Sequence, residues 1–373
     1  MLSRFDDYPI HQLPLPVAHA GTSDRNFYDR YFFNGYLSEG SLFFGAALGL
    51  YPNRRVIDAA FSVLRDGKQT NLYASARAPI ERSHTAVGPI SVEVIVPMEK
   101  LRIVVASNEH GIEADLTFQA RTVAVEEARQ TLHTGNVNYV DMTRLTQAGT
   151  WSGSITVDGV RMEFDPTVAS GTRDRSWGIR PVGEPPGGAP PPTLPQLFWL
   201  WGPANFADES VFIACFDNAQ GTKDYQHSVI APVRTLTDDP VIDPGGVARR
   251  FRDVDIQIDW EPGTRRARRA ELTLAPHGTG PSRSVVYDVL SSFQMAGLGY
   301  SHPTRAHGVW HDELSVTSDS WLLTEVNPMA RHNLHVQNIC RVTLDGKVGW
   351  GILEQLAIGP HPSGLTGLLD PAP

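Results

Sequence analysis

The sequence predicts an all-β protein, and three observations predict it. Apolar and polar residues alternate over short stretches, three of these stretches close on Asp-Gly pairs, and helical periodicity is scarce. Alternation sends successive side chains to opposite faces of a sheet, so one face can be buried while the other is wetted. Asp-Gly best tolerates the positive φ that a type I′ hairpin turn requires at both central residues. With 373 residues, 41% of them hydrophobic, the chain can bury one large core or two of ordinary size.

Along the chain, residues 57–64 run into Asp66-Gly67 and resume over 69–77. Strand-like runs follow at 90–96, 101–106 and 114–125. Residues 123–132 carry the best helical period, with Glu126, Glu127 and Arg129 as a solvated face. Residues 155–157 turn at Asp158-Gly159 into 160–164, which puts Val160, Met162 and Phe164 on one side. The stretch 184–192 is too rich in Pro and Gly for a ladder and reads as a linker or long loop. It divides the chain into an N-terminal domain, 1–190, and a C-terminal domain, 191–373. Beyond it come strands at 211–216, 254–260, 270–275 and 284–290, with a surface loop at 237–246. A last hairpin carries Val342 and Leu344 into Asp345-Gly346 and continues over 348–356. Many short, evenly spaced strands favour closed barrels or sandwiches, because closure removes edges that would otherwise aggregate.

Charge and local motifs exclude several classes. Lys and Arg number 32 against 41 Asp and Glu, a net charge of -9, which leaves no broad basic field for nucleic acid or an anionic membrane. Apolar runs such as 42–50 fall well short of the roughly 20 residues of a spanning helix. The first 16 residues hold two Asp and three Pro where a signal peptide needs an apolar core, so a soluble, cytoplasmic protein is expected. Cys215 and Cys340 show neither pairing nor metal spacing and read as buried apolar residues. Arg249, Arg250 and the basic run 265–269 read as a solvated hairpin. Gly-x-Gly-x-x-Gly after a strand, a phosphate-binding Lys loop, Gly-x-Ser-x-Gly and His-Glu-x-x-His are all absent. No cofactor is therefore expected.

The densest polar cluster is Gly171-Thr172-Arg173-Asp174-Arg175-Ser176-Trp177-Gly178-Ile179-Arg180. Alternation puts Arg173, Arg175 and Trp177 on one side and Asp174 and Ser176 on the other, so only one set can face a ligand. The segment reads equally as a structural knot, with Asp174 paired to Arg, or as a cavity wall. An Asp in an apolar cavity favours its acid form and can donate a proton, while neighbouring Arg opposes this. Arg173-Asp174-Arg175-Ser176-Trp177-Gly178, between two strand-rich halves, resembles the signature of the hydroxyneurosporene synthase or carotenoid 1,2-hydratase-like group. That group belongs to the lipocalin-like (calycin) proteins and is similar to AttH-like proteins and fungal lipocalin-like cyclases. Its hydratases carry His-Asp-His-Asn-Trp-Gly, so Asp174, Trp177 and Gly178 match while Arg173, Arg175 and Ser176 depart. Arg cannot relay a proton as His does. Residues 30–36, His307-Gly308-Val309-Trp310-His311 and residues 351–361 look like an uncharacterised bacterial subfamily of that group. The resemblance implies two lipocalin-like antiparallel β-barrels and an apolar terpenoid, steroid or similar lipid as ligand. Protonation of a carbon-carbon double bond and water addition, or isomerisation or cyclisation, is the chemistry it implies.

Such chemistry needs an acid held dry and aromatic faces for the cation that follows. Trp177, Trp199, Trp201, Trp310 and Tyr300 are candidates, although Trp199 and Trp201, on one side of a strand, read better as core, since most buried aromatics only pack. His302, His307 and His311, spaced by five and four, fit no metal motif, and no metal is expected. His307 or His311 is a candidate second proton group or ligand hydrogen bond, against a packed or loop role. Glu354 shares a face with Ile352 and Leu356 and is either functional or paired to an Arg. His227, Tyr28 and Asn34 are weaker candidates. The leading expectation is an enzyme with Asp174 as acid. A lipid carrier using the same cavity without turnover competes with it, as does an accessory protein in which the Arg-Asp-Arg segment only ties the barrels together.

Overall fold

The computed structural model describes residues 2–183, 189, 195–235 and 239–373. Among them every helical segment is a 3-10 turn of three or four residues, and the rest of the regular structure is strand. No helix is long and apolar enough to cross a membrane.

Two antiparallel barrel-like sheets organise these strands. The first is fourteen-stranded and nearly closed. Its path starts at Leu314–Leu322 and passes Lys68–Arg77, Val56–Arg65, Leu42–Tyr51, Phe27–Leu37, Ala169–Ile179 and Val137–Val157. It continues through Ile112–Ala120, Lys100–Val105 and Ile90–Val96 to Ala86–Val87. Its two ends come so near that a Cβ added to Gly88 would meet Val316 and Ala74. The second sheet closes fully into an eight-strand barrel. Leu197–Trp201 and Ala204–Asn205 together make one stave, paired with both Glu209–Asp217 and Lys347–Ile358. Val336–Leu344, Arg283–Gln294, Ala267–Pro276, Arg249–Trp260 and Lys223–Pro232 complete the ring.

The Asp-Gly turns behave as their chemistry requires. Asp66, Asp158 and Asp345 take φ of 51°, 52° and 47°, and the Gly after each is also positive. Residues 123–132, expected as a helix, are instead the short strands Val125–Glu126 and Gln130–Thr134 laid on Val137–Val157. Gln130 and Leu132 are buried around an exposed Thr131, which is a period of two, and Glu127 turns inward instead of facing water. The two sheets also do not separate at one point of the chain, because Leu314–Leu322 pairs with Lys68–Arg77 of the first. The expected linker, 184–192, lies outside the described residues except Ala189, as do residues 237 and 238 of the expected loop.

Side chains fill both barrel interiors. Phe33, Phe44, Phe61, Phe118 and Trp151 pack the first, with Phe44 and Trp151 edge-on at 5.0 Å. Phe198, Ile213, Leu272, Tyr287 and Leu353 pack the second, beside the buried free thiols Cys215 and Cys340. A third cluster joins the barrels' outer faces, where Phe32 meets Trp201 edge-on at 6.0 Å. Asn34 Nδ2 donates to Gln337 Oε1 at 3.2 Å, and Asn205 Nδ2 to the Tyr36 hydroxyl at 2.8 Å, so polar groups fix the register of the interface. The basic run 265–269 is only partly solvated. Arg265 is 2% exposed, and its guanidinium donates to the carbonyls of Gly359, Thr366, Gly367 and Asp370, tying down the C-terminal segment. Arg266 reaches Gln294, while Arg268 and Arg269 form exposed ion pairs with Asp259 and Asp288.

Candidate functional site

Where the outer faces part, a cavity of about 1000 Å³ opens, at the upper end of the range that holds drug-sized ligands. One wall comes from the first barrel. Phe32, Asp174 and Thr146 are aligned across three strands, as are Arg30, Ser176 and Arg144, so Asp174, Ser176 and Arg144 share the outward face. The facing wall presents Trp199, Trp201, Glu354 and Leu356, which are paired across Leu197–Trp201 and Lys347–Ile358. Tyr300, His302 and His307 close one side, with His332 and His335 beside them. The cavity thus lies between the barrels and not inside one, because both interiors are packed.

Asp174 is half-buried on this wall, and no hydrogen-bond donor among the described residues reaches it. Burial pushes its carboxyl up to about 6; Arg144 and Arg180 oppose the shift, whereas Glu127 and Glu354 add to it. Arg144 does not form a salt bridge to Asp174. Its Nε lies 3.6 Å from Glu127, and its guanidinium sits 5.0 Å over the Trp199 ring. Glu127 is buried and accepts from Thr146 Oγ1 at 2.6 Å and Tyr225 OH at 2.7 Å. Burial alone would raise it, but Arg144, His227 and these hydrogen bonds outweigh burial and hold it below the ordinary carboxylate value.

Glu354 has no Arg partner. It accepts from Trp199 Nε1 at 2.9 Å, His335 Nε2 at 2.9 Å and Gln337 Nε2 at 2.7 Å. Burial opposes its ionisation, yet His335 and the other donors prevail and keep it a carboxylate, so it is not a proton donor at neutral pH. His307 is buried with Nδ1 3.0 Å from the Gly299 carbonyl. Nδ1 must therefore carry the hydrogen, which leaves Nε2 as an acceptor with no partner among the described residues. Burial, then Arg30 and Arg180, push His307 well below its ordinary value, so the ring is neutral and its Nε2 offers an acceptor where the sequence also allowed a donor.

The structure brings Asp174, His307, Glu354, Tyr300, Trp199 and Trp201 to one cavity. It places the other sequence candidates elsewhere. Arg173, Arg175 and Trp177 point to the opposite side of their strand, as alternation dictates. Arg173 Nε donates to Gln147 at 2.9 Å, Arg175 pairs with Asp29, and Trp177 is 39% exposed. After His307 the chain turns at Gly308, whose φ is +73°, and leaves the cavity. Trp310 is consequently 41% exposed beneath Arg77, and His311 borders a separate small recess beside Tyr73. His227 is buried outside the cavity lining, pushed down to about 4 by burial. No group of three or more His, Cys, Asp or Glu suited to a metal occurs among the described residues. Sequence reasoning missed Arg30, Arg144, Arg180, Glu127 and His335, since each acquires its partner only across the sheet or the barrel interface.

Among solved structures, the fold is similar to kievitone hydratase from Nectria haematococca, at 13% identity over 91% of this chain and 93% of that one, with a TM-score of 0.52. A protein assigned to AttH from Nitrosomonas europaea is similar at 13% identity, 93% and 97% coverage and a TM-score of 0.55. CghA is similar at 13% identity, 89% and 88% coverage and a TM-score of 0.51. At these identities the likeness is one of fold, and it supports an AttH-like architecture of paired barrels. No curated protein matches the sequence. Residues 2–366 match the model of a family of unknown function, DUF8625, and the chain belongs to that family.

Proposed function

We propose that this is a cytoplasmic, cofactor-free enzyme of the hydroxyneurosporene synthase-like and AttH-like group, most closely of its bacterial subfamily. It hydrates, dehydrates, isomerises or cyclises an apolar terpenoid, steroid or similar lipid in the cavity between the barrels. One observation carries this reading: Asp174 faces that cavity, which Trp199 and Trp201 line from the facing wall, with no hydrogen-bond donor on it among the described residues and its carboxyl pushed up to about 6. A carboxyl so placed retains a protonated fraction near neutral pH and has no protein partner to give its proton to. The similarity in fold to kievitone hydratase is consistent with this reading.

In the hydration direction, the Asp174 O–H bond breaks and its proton joins one alkene carbon, leaving a carbocation at the other. Phe32 and Trp201 line the cavity as aromatic neighbours for that cation, Trp199 already carries the Arg144 guanidinium over its ring, and the fixed carboxylate of Glu354 adds negative charge across the cavity. Water bonds to the cation and loses a proton to His307 Nε2, the unpartnered acceptor. Where no water reaches the cation, loss of a neighbouring proton gives an isomer, and attack by a second double bond gives a ring.

Incubating the protein with a bacterial lipid and terpenoid extract in ¹⁸O-labelled water, beside a boiled control, tests this by mass spectrometry. A new species carrying one ¹⁸O establishes hydration, and an unlabelled isomer establishes isomerisation or cyclisation. Compounds retained but unchanged would overturn the enzyme reading in favour of a carrier.

A further inference from the structure

Two guanidinium groups, that of buried Arg30 and that of half-buried Arg180, meet at Tyr300. Arg30 is 2% exposed and lies 4.6 Å from the Tyr300 ring centroid. Its Nη2 donates to the Leu298 carbonyl at 3.1 Å, while Nε and Nη1 have no partner. Arg180 lines the cavity 5.5 Å from the same ring and 4.6 Å from Tyr28, and its Nε is buried and unpartnered. Among the described residues neither makes a salt bridge, although other buried arginines, such as Arg144, do. The carboxylate that acts on both is Asp58, which accepts the Gly308 N–H. Burial pushes Asp58 up to about 6 even with Arg30 and Arg180 pulling it down, so it is an incomplete counter-ion.

Arginine does not give up its proton in a protein, so two permanent cations lie here against two carboxyls whose burial opposes their ionisation, Asp58 acting on both and Asp174 on Arg180. An uncompensated buried charge is costly, and unpartnered guanidinium N–H groups add to that cost. The same two cations, after burial, keep His307 neutral, a second sign that the field at this end of the cavity is positive. The imbalance lies at the cavity wall, where a ligand can correct it.

We propose that the Arg180 and Tyr300 end of the cavity receives an anionic oxygen of the substrate, a carboxylate, phenolate or enolate. Arg180 is the direct donor, and Arg30 adds its charge from beneath the Tyr300 ring. The inference rests on the proposed use of this cavity and deepens it: the substrate is an amphiphile, with its apolar body along Trp199 and Trp201 and an acidic group at Arg180, and not a pure hydrocarbon.

Calorimetric titration of the full chain with 2-naphthoate and with methyl 2-naphthoate, which differ mainly in charge, tests this without a variant. The carboxylate should bind at least about tenfold tighter than the ester, a factor worth about 1.4 kcal/mol. In Arg180→Met, checked for folding by circular dichroism, that preference should vanish while ester affinity stays. Equal affinities in the wild type, a preference that survives Arg180→Met, or failure of both probes to bind would each overturn the proposal. Ester binding without anion preference, together with ¹⁸O incorporation into a neutral lipid, would overturn this inference alone and leave the enzyme reading intact.

Discussion

The Tyr225 hydroxyl of the second barrel donates to Glu127 Oε2 of the first at 2.7 Å. Through this hydrogen bond a residue outside the cavity lining helps fix its electrostatics. Glu127 holds Arg144, Arg144 lies over Trp199, and both charges act on Asp174 in opposite senses. The barrels are therefore coupled by charge as well as by the apolar contact of Phe32 with Trp201.

Tyr225→Phe should cost about 1–3 kcal/mol of stability in urea titration, because Glu127 is left buried with one donor fewer while the ring volume is kept. The slope of the unfolding free energy against urea should not change, since the surface exposed on unfolding is the same. A loss below about 0.5 kcal/mol, the ordinary effect of a surface change, would show that Arg144 and Thr146 suffice for Glu127.

Arg265→Ala should loosen the end of the chain. Four carbonyls between Gly359 and Asp370 lose their donor at once, and hydrogen bonds to a charged group contribute about 1.5–3 kcal/mol each at most. Hydrogen exchange of residues 359–370 should quicken well before that of Val336–Leu344. Unchanged exchange there would mean that Arg265 is as dispensable as the basic run suggests when read as a solvated hairpin.

Local signals were legible and distant ones were not. The three Asp-Gly turns, the outward alternation of Asp174 and Ser176 against Arg173 and Arg175, and the shared face of Ile352, Glu354 and Leu356 all follow from backbone geometry over a few residues. Residues 123–132 misled because Glu126, Glu127 and Arg129 look like one polar face, whereas Glu127 is satisfied by Tyr225, about a hundred positions away. Arg30 lies within one strand and Arg180 just beyond the end of another, and only folding sets both against Tyr300. Nothing local could show that the cavity lies between barrels, since Trp199 and Trp201, which line it, read in sequence as core.

Glu354→Gln should destabilise by about 2 kcal/mol at pH 7, because one of three donors then faces an amide NH₂. The folded-state value is lowered from 4.5, so the carboxylate's contribution is present above pH 4.5 and is lost as pH falls through the folded value. The stability gap between wild type and variant should therefore shrink on acidification. A gap that stays constant down to pH 3 would show that geometry, and not charge, holds Trp199, His335 and Gln337 together.

Asp174→Asn gives two readouts of opposite sign. Turnover should fall by about a hundredfold or more, as removal of a general acid does, and wild-type turnover should itself decline as pH rises through about 6, where the acid form is lost. Stability should move the other way. The folded-state value is raised from 3.8 to about 6, so the protein is free of the penalty below pH 3.8 and bears it in full above about 6. That interval corresponds to roughly 3 kcal/mol, an upper bound for a carboxyl partly open to the cavity. Denaturation at pH 8 should thus find the variant more stable than the wild type, and at pH 3.5 the advantage should disappear. Asp58 titrates in the same window, but it is present in both proteins and cancels in the difference. A variant that is less stable at every pH would identify Asp174 as the structural partner of Arg144, and unchanged turnover would remove it from the chemistry.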